Sequence, residues 1–191
     1  MLELFASLPP TARQEFNLDR GQTAFLQGDN TLGMYGVISG KIQLQRHTQA
    51  GVVIVIHTAH AEGSFAEASL FSDHYHCDAV ALETSRIIRY DKKAINHRLA
   101  TDPDFAIAIT KRFAMQIQFY RRQLELIAIG NAKERVFAGL VEGMLKSDIK
   151  TFASQIGLSH EAVYRALANL VASGRIEKAG RGKYLWNGAK K

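Results

Sequence analysis

The chain changes period near its middle. From Leu18 to Asp91 the apolar residues come in short runs: TAFL, MYGVIS, KIQLQ, VVIVIHTA, CDAVAL and SRIIRY. These runs are rich in β-branched, aromatic and aliphatic side chains, as strands are. Glycines at 21, 28, 33, 40, 51 and 63 separate them, where turns need positive φ. Many short strands at near-regular spacing predict a small antiparallel barrel or roll. Ahead of it, residues 2–16 read as a short helical lead-in, with Pro9 and Pro10 at a helix start. Beyond Pro103 the period becomes helical. Ile109, Phe113, Ile117, Tyr120, Leu124 and Ile127 recur at steps of three and four, with no glycine before Gly130. About 27 residues at 1.5 Å rise make a rod of roughly 40 Å. Its stripe can pack on its own domain or on a twin helix. The length favours the twin, because a small roll cannot cover so long a rod. Gly130-Asn131 breaks it, and a further amphipathic helix is predicted over 132–146 through Val136, Phe137, Leu140, Val141 and Leu145. The expected fold class is α+β, with an antiparallel roll of the jelly-roll type over 1–102, a dimerisation helix over 103–130 and a third segment over 131–191.

Residues 148–172 read DIKTFASQIGLSHEAVYRALANLVA. Asp148 suits the cap of one helix and Ser159 the cap of the next. Ala153 is small where two helices must cross, and Gly157 sits at the sharp turn between them. Phe152, Ile156, Leu158, Val163 and Ala166 take inward positions. Together these features predict a helix-turn-helix. Its second helix presents His160, Glu161, Tyr164 and Arg165 in and just after its first turn, the end from which base edges are contacted. Arg can pair bidentately with guanine, and Glu can accept from a cytosine amino group. Glu161 and Arg165 are also spaced to pair with each other. After Gly174 come two short strands, RIEKA and KYLW, around a Gly-Arg-Gly turn. They form a wing whose Arg175, Lys178, Arg181 and Lys183 suit phosphates.

Charge changes the picture in the same direction. The net formal charge is +6, but residues 1–103 carry −2 and residues 104–191 carry +8. That asymmetry points to a polyanion for the C-terminal half, against solvated surface lysines as the plain reading. No apolar run of membrane-spanning length and no secretory leader is visible, so no membrane is expected and a cytoplasmic location is. The single cysteine, Cys77, excludes an intramolecular disulfide. No Walker-type loop, HExxH or GxSxG appears, so nothing recommends an enzyme.

In this order, a glycine-punctuated roll, a long helix and a winged helix-turn-helix resemble the Crp/Fnr family of bacterial transcription regulators. GQTAFLQGD, MYGVISGKIQL, GSFAEASLF and IGLSHEAVYRAL each look like family segments. The resemblance implies a homodimer that binds double-stranded DNA at a near-palindromic operator. It leaves RNA polymerase open as a further partner. It puts Glu161 and Arg165 where the family has its base-reading residues. His160 stands where the cyclic-AMP receptor branch has an arginine, so a different operator is expected. The connection between residue 146 and Asp148 is also shorter than the family pattern.

The same resemblance frames GSFAEASLFSDHYHCDAVA, residues 63–81. In the cyclic-nucleotide-binding branch a Glu of this loop holds the ribose and an Arg-Ser/Thr-Ala triplet neutralises the phosphate. Glu67 stands at the Glu position, but the triplet reads Cys77-Asp78-Ala79. A buried phosphate without its arginine, beside Asp78, is desolvated and unpaired. Glu67, Ala68, Ser69, Cys77 and Asp78 are therefore read as a degenerate effector pocket that does not hold cyclic AMP tightly. Backbone N–H groups at the start of the EASLF helix leave a phosphate reading open, and no cofactor is assigned. His74, His76 and Cys77 are metal-ligand types, but on a strand Cys77 faces away from the two histidines. A turn followed by a core strand is the leading reading, with a haem or metal site and a redox-active thiol behind it. The alternative from another class is a ligand-binding or adaptor module whose winged helix docks protein and never touches DNA.

Overall fold

The computed structural model describes residues 2–145, 148–180, 182–186 and 188. It is an α+β protein whose sheets are all antiparallel. Contacts divide it into two compact units, Met1–Lys111 and Arg112–Lys191. The division falls inside the long helix, so the rod is shared by both units instead of standing as a third segment.

In the first unit the helical lead-in is shorter than expected. Helix α1 is Leu2–Phe5, a single 3-10 turn spans Pro10–Ala12, and strand β1 already runs over Arg13–Leu18. The other strands are β2 (Thr23–Phe25), β3 (Gly33–Ser39), β4 (Lys41–His47), β5 (Val53–His60), β6 (Ser64–Phe65), β7 (Asp78–Ala81) and β8 (Ser85–Asp91). They form two four-stranded sheets, ordered β1-β8-β3-β6 and β2-β7-β4-β5. Their facing sides share one core in which Tyr35, Val37, Phe65 and Ile87 meet Phe25, Ile42, Leu44 and Ala79. This alternation of buried and solvated residues is what an antiparallel roll requires. β5 lies at a sheet edge, and its Val53, Ile54, Val55 and Ile56 stay exposed.

Asp91 caps helix α2 (Lys92–Thr101), accepting from Ala94 N. Asp102 then accepts from Phe105 N at 3.0 Å and Pro103 opens helix α3 (Pro103–Ala128), the predicted rod. Phe105 meets Phe5 edge-on with ring centroids 5.9 Å apart. The start of the rod thus packs on its own unit. For that reason Ile109, expected on the dimer stripe, is buried at 3% exposure and is removed from that face. Phe113 is half-buried, and Ile117, Tyr120, Leu124 and Ile127 are exposed.

The second unit adds helices α4 (Ala132–Val141), α5 (Ile149–Gln155) and α6 (His160–Ala172) and the hairpin β9 (Ile176–Gly180) and β10 (Lys183–Trp186). α4 ends five residues before the predicted 146: Glu142 caps it and Gly143 turns with φ 68°. Leu145 therefore lies outside any helix. The core joins Leu126 of α3 to Val136, Leu140, Phe152, Ile156, Val163, Leu167 and Leu170.

Candidate functional site

The C-terminal unit positions its exposed residues through local signals. Asp148 caps α5, accepting from Thr151 N at 2.7 Å. Gly157 turns the chain at φ 64°, a conformation that side chains resist. Ser159 caps α6, accepting from Ala162 N at 3.2 Å. Val163, Ala166, Leu167 and Leu170 then bury one face of α6. The opposite face carries His160, Glu161, Tyr164 and Arg165, all exposed. The structure therefore brings five of the sequence-predicted site residues, Ser159 included, onto one end of one helix.

Their electrostatics are defined. The N–H at the helix start and the Ser159 hydroxyl hold the Glu161 carboxyl below its ordinary value, helped by His160 and Arg165. Glu161 is thus an ionised, acceptor-only group. The His160 Nε2 lies 3.3 Å from its carboxylate, while Arg165 acts as a neighbouring charge and not as a bonded partner. The His160 ring meets Tyr164 edge-on at 6.2 Å.

The hairpin divides the predicted cations. Lys178 and Lys183 are exposed. Arg181 lies outside the described residues. Arg175 does not belong with them: it forks onto Glu134 of α4 at 2.6 and 3.0 Å and lies 3.9 Å over the Phe137 ring. A guanidinium with two carboxylate bonds and a stacked ring is a clamp that ties the hairpin to α4. Arg135 is a second clamp that sequence reasoning missed. It donates to the carbonyls of Ile129, Ile156 and Gly157 at 2.9, 3.2 and 3.3 Å, fixing the turn between α5 and α6. Gly139 is another residue that sequence reasoning missed. A Cβ there would stand 2.9 Å from Phe152 Cε2, so its absence leaves room for the Phe152 ring of α5 against α4.

Of the five residues of the expected effector pocket, Glu67, Ser69 and Asp78 make hydrogen bonds within the roll. Ala66 turns the chain at φ 61° and Glu67–Leu70 make one 3-10 turn. Glu67 accepts from the Ser64 hydroxyl at 2.5 Å, and the buried Ser69 hydroxyl donates to Gly33 O at 2.7 Å. Asp78 accepts from Gln27 N at 2.8 Å and lies 3.3 Å from His47 Nδ1. Burial pushes the Cys77 thiol up, away from the thiolate that ligation and redox chemistry need. None of Glu67, Ala68, Ser69, Cys77 and Asp78 lines the cavity bordered by Phe16, Phe25, Tyr35 and Tyr75. His74 Nδ1 is 3.0 Å from Gly28 O, and among the described residues no group of three His, Cys, Asp or Glu is placed to hold a metal. No helix among the described residues is long and apolar enough to cross a membrane.

Comparison with known proteins agrees with this architecture. Residues 15–102 match the cyclic nucleotide-binding domain family. The chain is 23% identical over 183 residues to a CRP-like cAMP-activated global transcriptional regulator of Mycobacterium tuberculosis, covering 88% of this chain and 82% of that one. Its fold is similar to that of FixK2 from Bradyrhizobium japonicum, with a TM-score of 0.64 at 17% identity and 92% of each chain covered. The sensor domain of the transcriptional regulator DNR from Pseudomonas aeruginosa is 27% identical, with a TM-score of 0.53 over 60% of this chain and 82% of that one. Over most of its length the chain is thus similar to a CRP-like transcriptional regulator, and its roll is similar to the sensor domain of another regulator.

Proposed function

We propose that this regulator binds double-stranded DNA as a homodimer. α5, α6 and the β9–β10 hairpin act as a winged helix-turn-helix, and α6 enters the major groove. The observation that carries the reading is the division of α6. One face is fully spent on the core, and the other presents an acceptor, a donor fork and two ring side chains at the helix start, the end that meets base edges. Lys178 and Lys183 on the hairpin supply phosphate contacts that set affinity and register. The twin chain covers Ile117, Tyr120, Leu124 and Ile127 of α3, so that two α6 helices meet successive grooves about 34 Å apart on a near-palindromic site. In this reading the roll over 1–102 is the sensor and 131–191 the DNA-binding domain.

Cyclic AMP is not the tight ligand of the 63–81 loop. Its phosphate would meet Cys77 and the carboxylate of Asp78 where charge neutralisation is needed. Arg165→Ala tests the DNA reading. On a site selected from random duplexes, fluorescence anisotropy should show a loss of about 1–3 kcal/mol and a relaxed preference at one base pair per half-site. An unchanged preference overturns the assignment of α6 to base readout.

A further inference from the structure

The roll contains a cavity of about 350 Å3. Phe16 and Leu18 of β1, Phe25 of β2, Tyr35 of β3 and Tyr75 form its apolar wall, and Arg89 of β8 stands on its border. Its mouth is built rather than loose. Gly28 N donates to Tyr75 O and Tyr75 N to Asp29 O, each at 2.9 Å, and Thr31 N donates to Asp73 O. The Tyr75 hydroxyl donates to Gly33 O at 3.0 Å and accepts from Leu32 N at 3.1 Å. The Tyr75 phenol is thus already satisfied. Asp29, the acid on the wall, accepts from Leu26 N at 2.9 Å on the same clamped loop.

Arg89 is the unusual member. It lies opposite Gln14 on one side and Tyr35 on the other in the register of β1-β8-β3, so all three share the inner face. Its guanidinium donates to the neutral Gln14 Oε1 at 2.7 Å and lies 5.5 Å over the Phe16 ring. On the outer face of the same strand Arg86 has an acid, Glu15, at 3.5 Å. Arg89 is a half-buried charge whose bonded partners, the Gln14 amide and the Tyr35 hydroxyl, are neutral, and it stands at the edge of the cavity.

We propose that this cavity binds a small planar aromatic carboxylate, its ring against Phe16, Phe25 and Tyr35 and its carboxylate on the Arg89 fork. Aromatic walls favour an inserted ring in offset or edge contact. A guanidinium matches a carboxylate in two parallel bonds, better than it matches an amide. The volume is near the lower end of the roughly 300–1,000 Å3 usual for ligand sites, which limits the occupant to one or two rings. The site is separate from the Glu67 loop, and the inference does not rest on DNA binding.

The test uses the full chain without DNA. Benzoate, phenylacetate and indole-3-acetate are titrated in amide-detected NMR beside their neutral carboxamides. At least one acid should saturate, with shifts centred on the cavity residues, at least tenfold more tightly than its carboxamide. Arg89→Gln should reduce that acid to the affinity of its carboxamide. Arg89→Lys, which keeps the charge and loses the fork, should fall between. Failure of all three acids to shift the cavity residues at millimolar concentration overturns the proposal. So does equal binding of acid and carboxamide by the unsubstituted chain, which needs no variant to fold. An acid preference that survives Arg89→Gln overturns it as well.

Discussion

The Phe152 ring of α5 lies against Gly139 of α4, and a substitution at Gly139 tests that contact. Alanine there adds one methyl, which would stand 2.9 Å from Phe152 Cε2, 3.1 Å from Cζ and 3.3 Å from Ile156 Cγ2. Carbon atoms prefer about 3.5–4.0 Å, so the ring must retreat by half an ångström or more. Phe152 is 1% exposed and Ile156 fully buried, which leaves the ring little room. Overpacking of this kind costs about 1–3 kcal/mol. Against it, Gly→Ala inside a helix gains about 0.8–1 kcal/mol. The packing cost wins, and Gly139→Ala should destabilise the unit by roughly 1 kcal/mol. Trp186 on β10 is the chain's single tryptophan and sits against this core, so its fluorescence in urea reports on this unit. The decisive control is Phe152→Leu, which removes the opposing ring atoms. In that background Gly139→Ala should become stabilising, by up to about 1 kcal/mol. Stabilisation in the unsubstituted chain, or equal destabilisation in both backgrounds, would refute the contact between Gly139 and the Phe152 ring.

Three further outcomes follow from the same geometry. Lys183→Gln should weaken binding to all duplexes alike and flatten the salt slope by about 0.9; a loss confined to one sequence would contradict a phosphate contact. Leu124, 66% exposed on the α3 stripe, should yield monomers in sedimentation velocity when changed to Asp, and an intact dimer would refute that pairing face. The bonds and the charge of Arg175 hold the Glu134 carboxyl below its ordinary value. A depressed carboxyl stabilises the fold above its unfolded pKa, about 4.3, and loses that contribution as pH falls through the folded value. The stability gap between the unsubstituted chain and Glu134→Gln should be present at pH 7 and close in acid. A gap that does not change with pH would contradict the clamp.

What the sequence made legible was local. Asp148, Gly157 and Ser159 act within three residues of themselves, and each stands where its side chain predicts. The strand runs were visible because their apolar residues are dense. β1 was not: RQEFNL turns only Phe16 and Leu18 toward the core, and its strand character comes from pairing with β8, far along the chain. α2 buries only Ile95 and so shows no stripe. The clamps lay out of reach because their partners are distant. Arg175 meets Glu134 across 41 residues and Arg135 meets Ile156 O across 21. The bond by which Asp78 holds Gln27 N–H, 51 residues away, was out of reach for the same reason. The rod was read correctly as a helix, but periodicity does not say which of its turns the same chain covers. Ile109 lies in that gap.

The account stands on α6 reaching base edges in the major groove of a duplex, twice per dimer. Footprinting on a site selected from random sequence measures this directly, with hydroxyl radicals for the backbone and dimethyl sulfate for guanine N7. The expected result is two protected blocks centred about one helical turn, 10–10.5 base pairs, apart. In each, a guanine N7 is shielded, and Arg165→Ala removes that shielding while the backbone blocks remain. Protection without any shielded N7, or shielding untouched by Arg165→Ala, would contradict it.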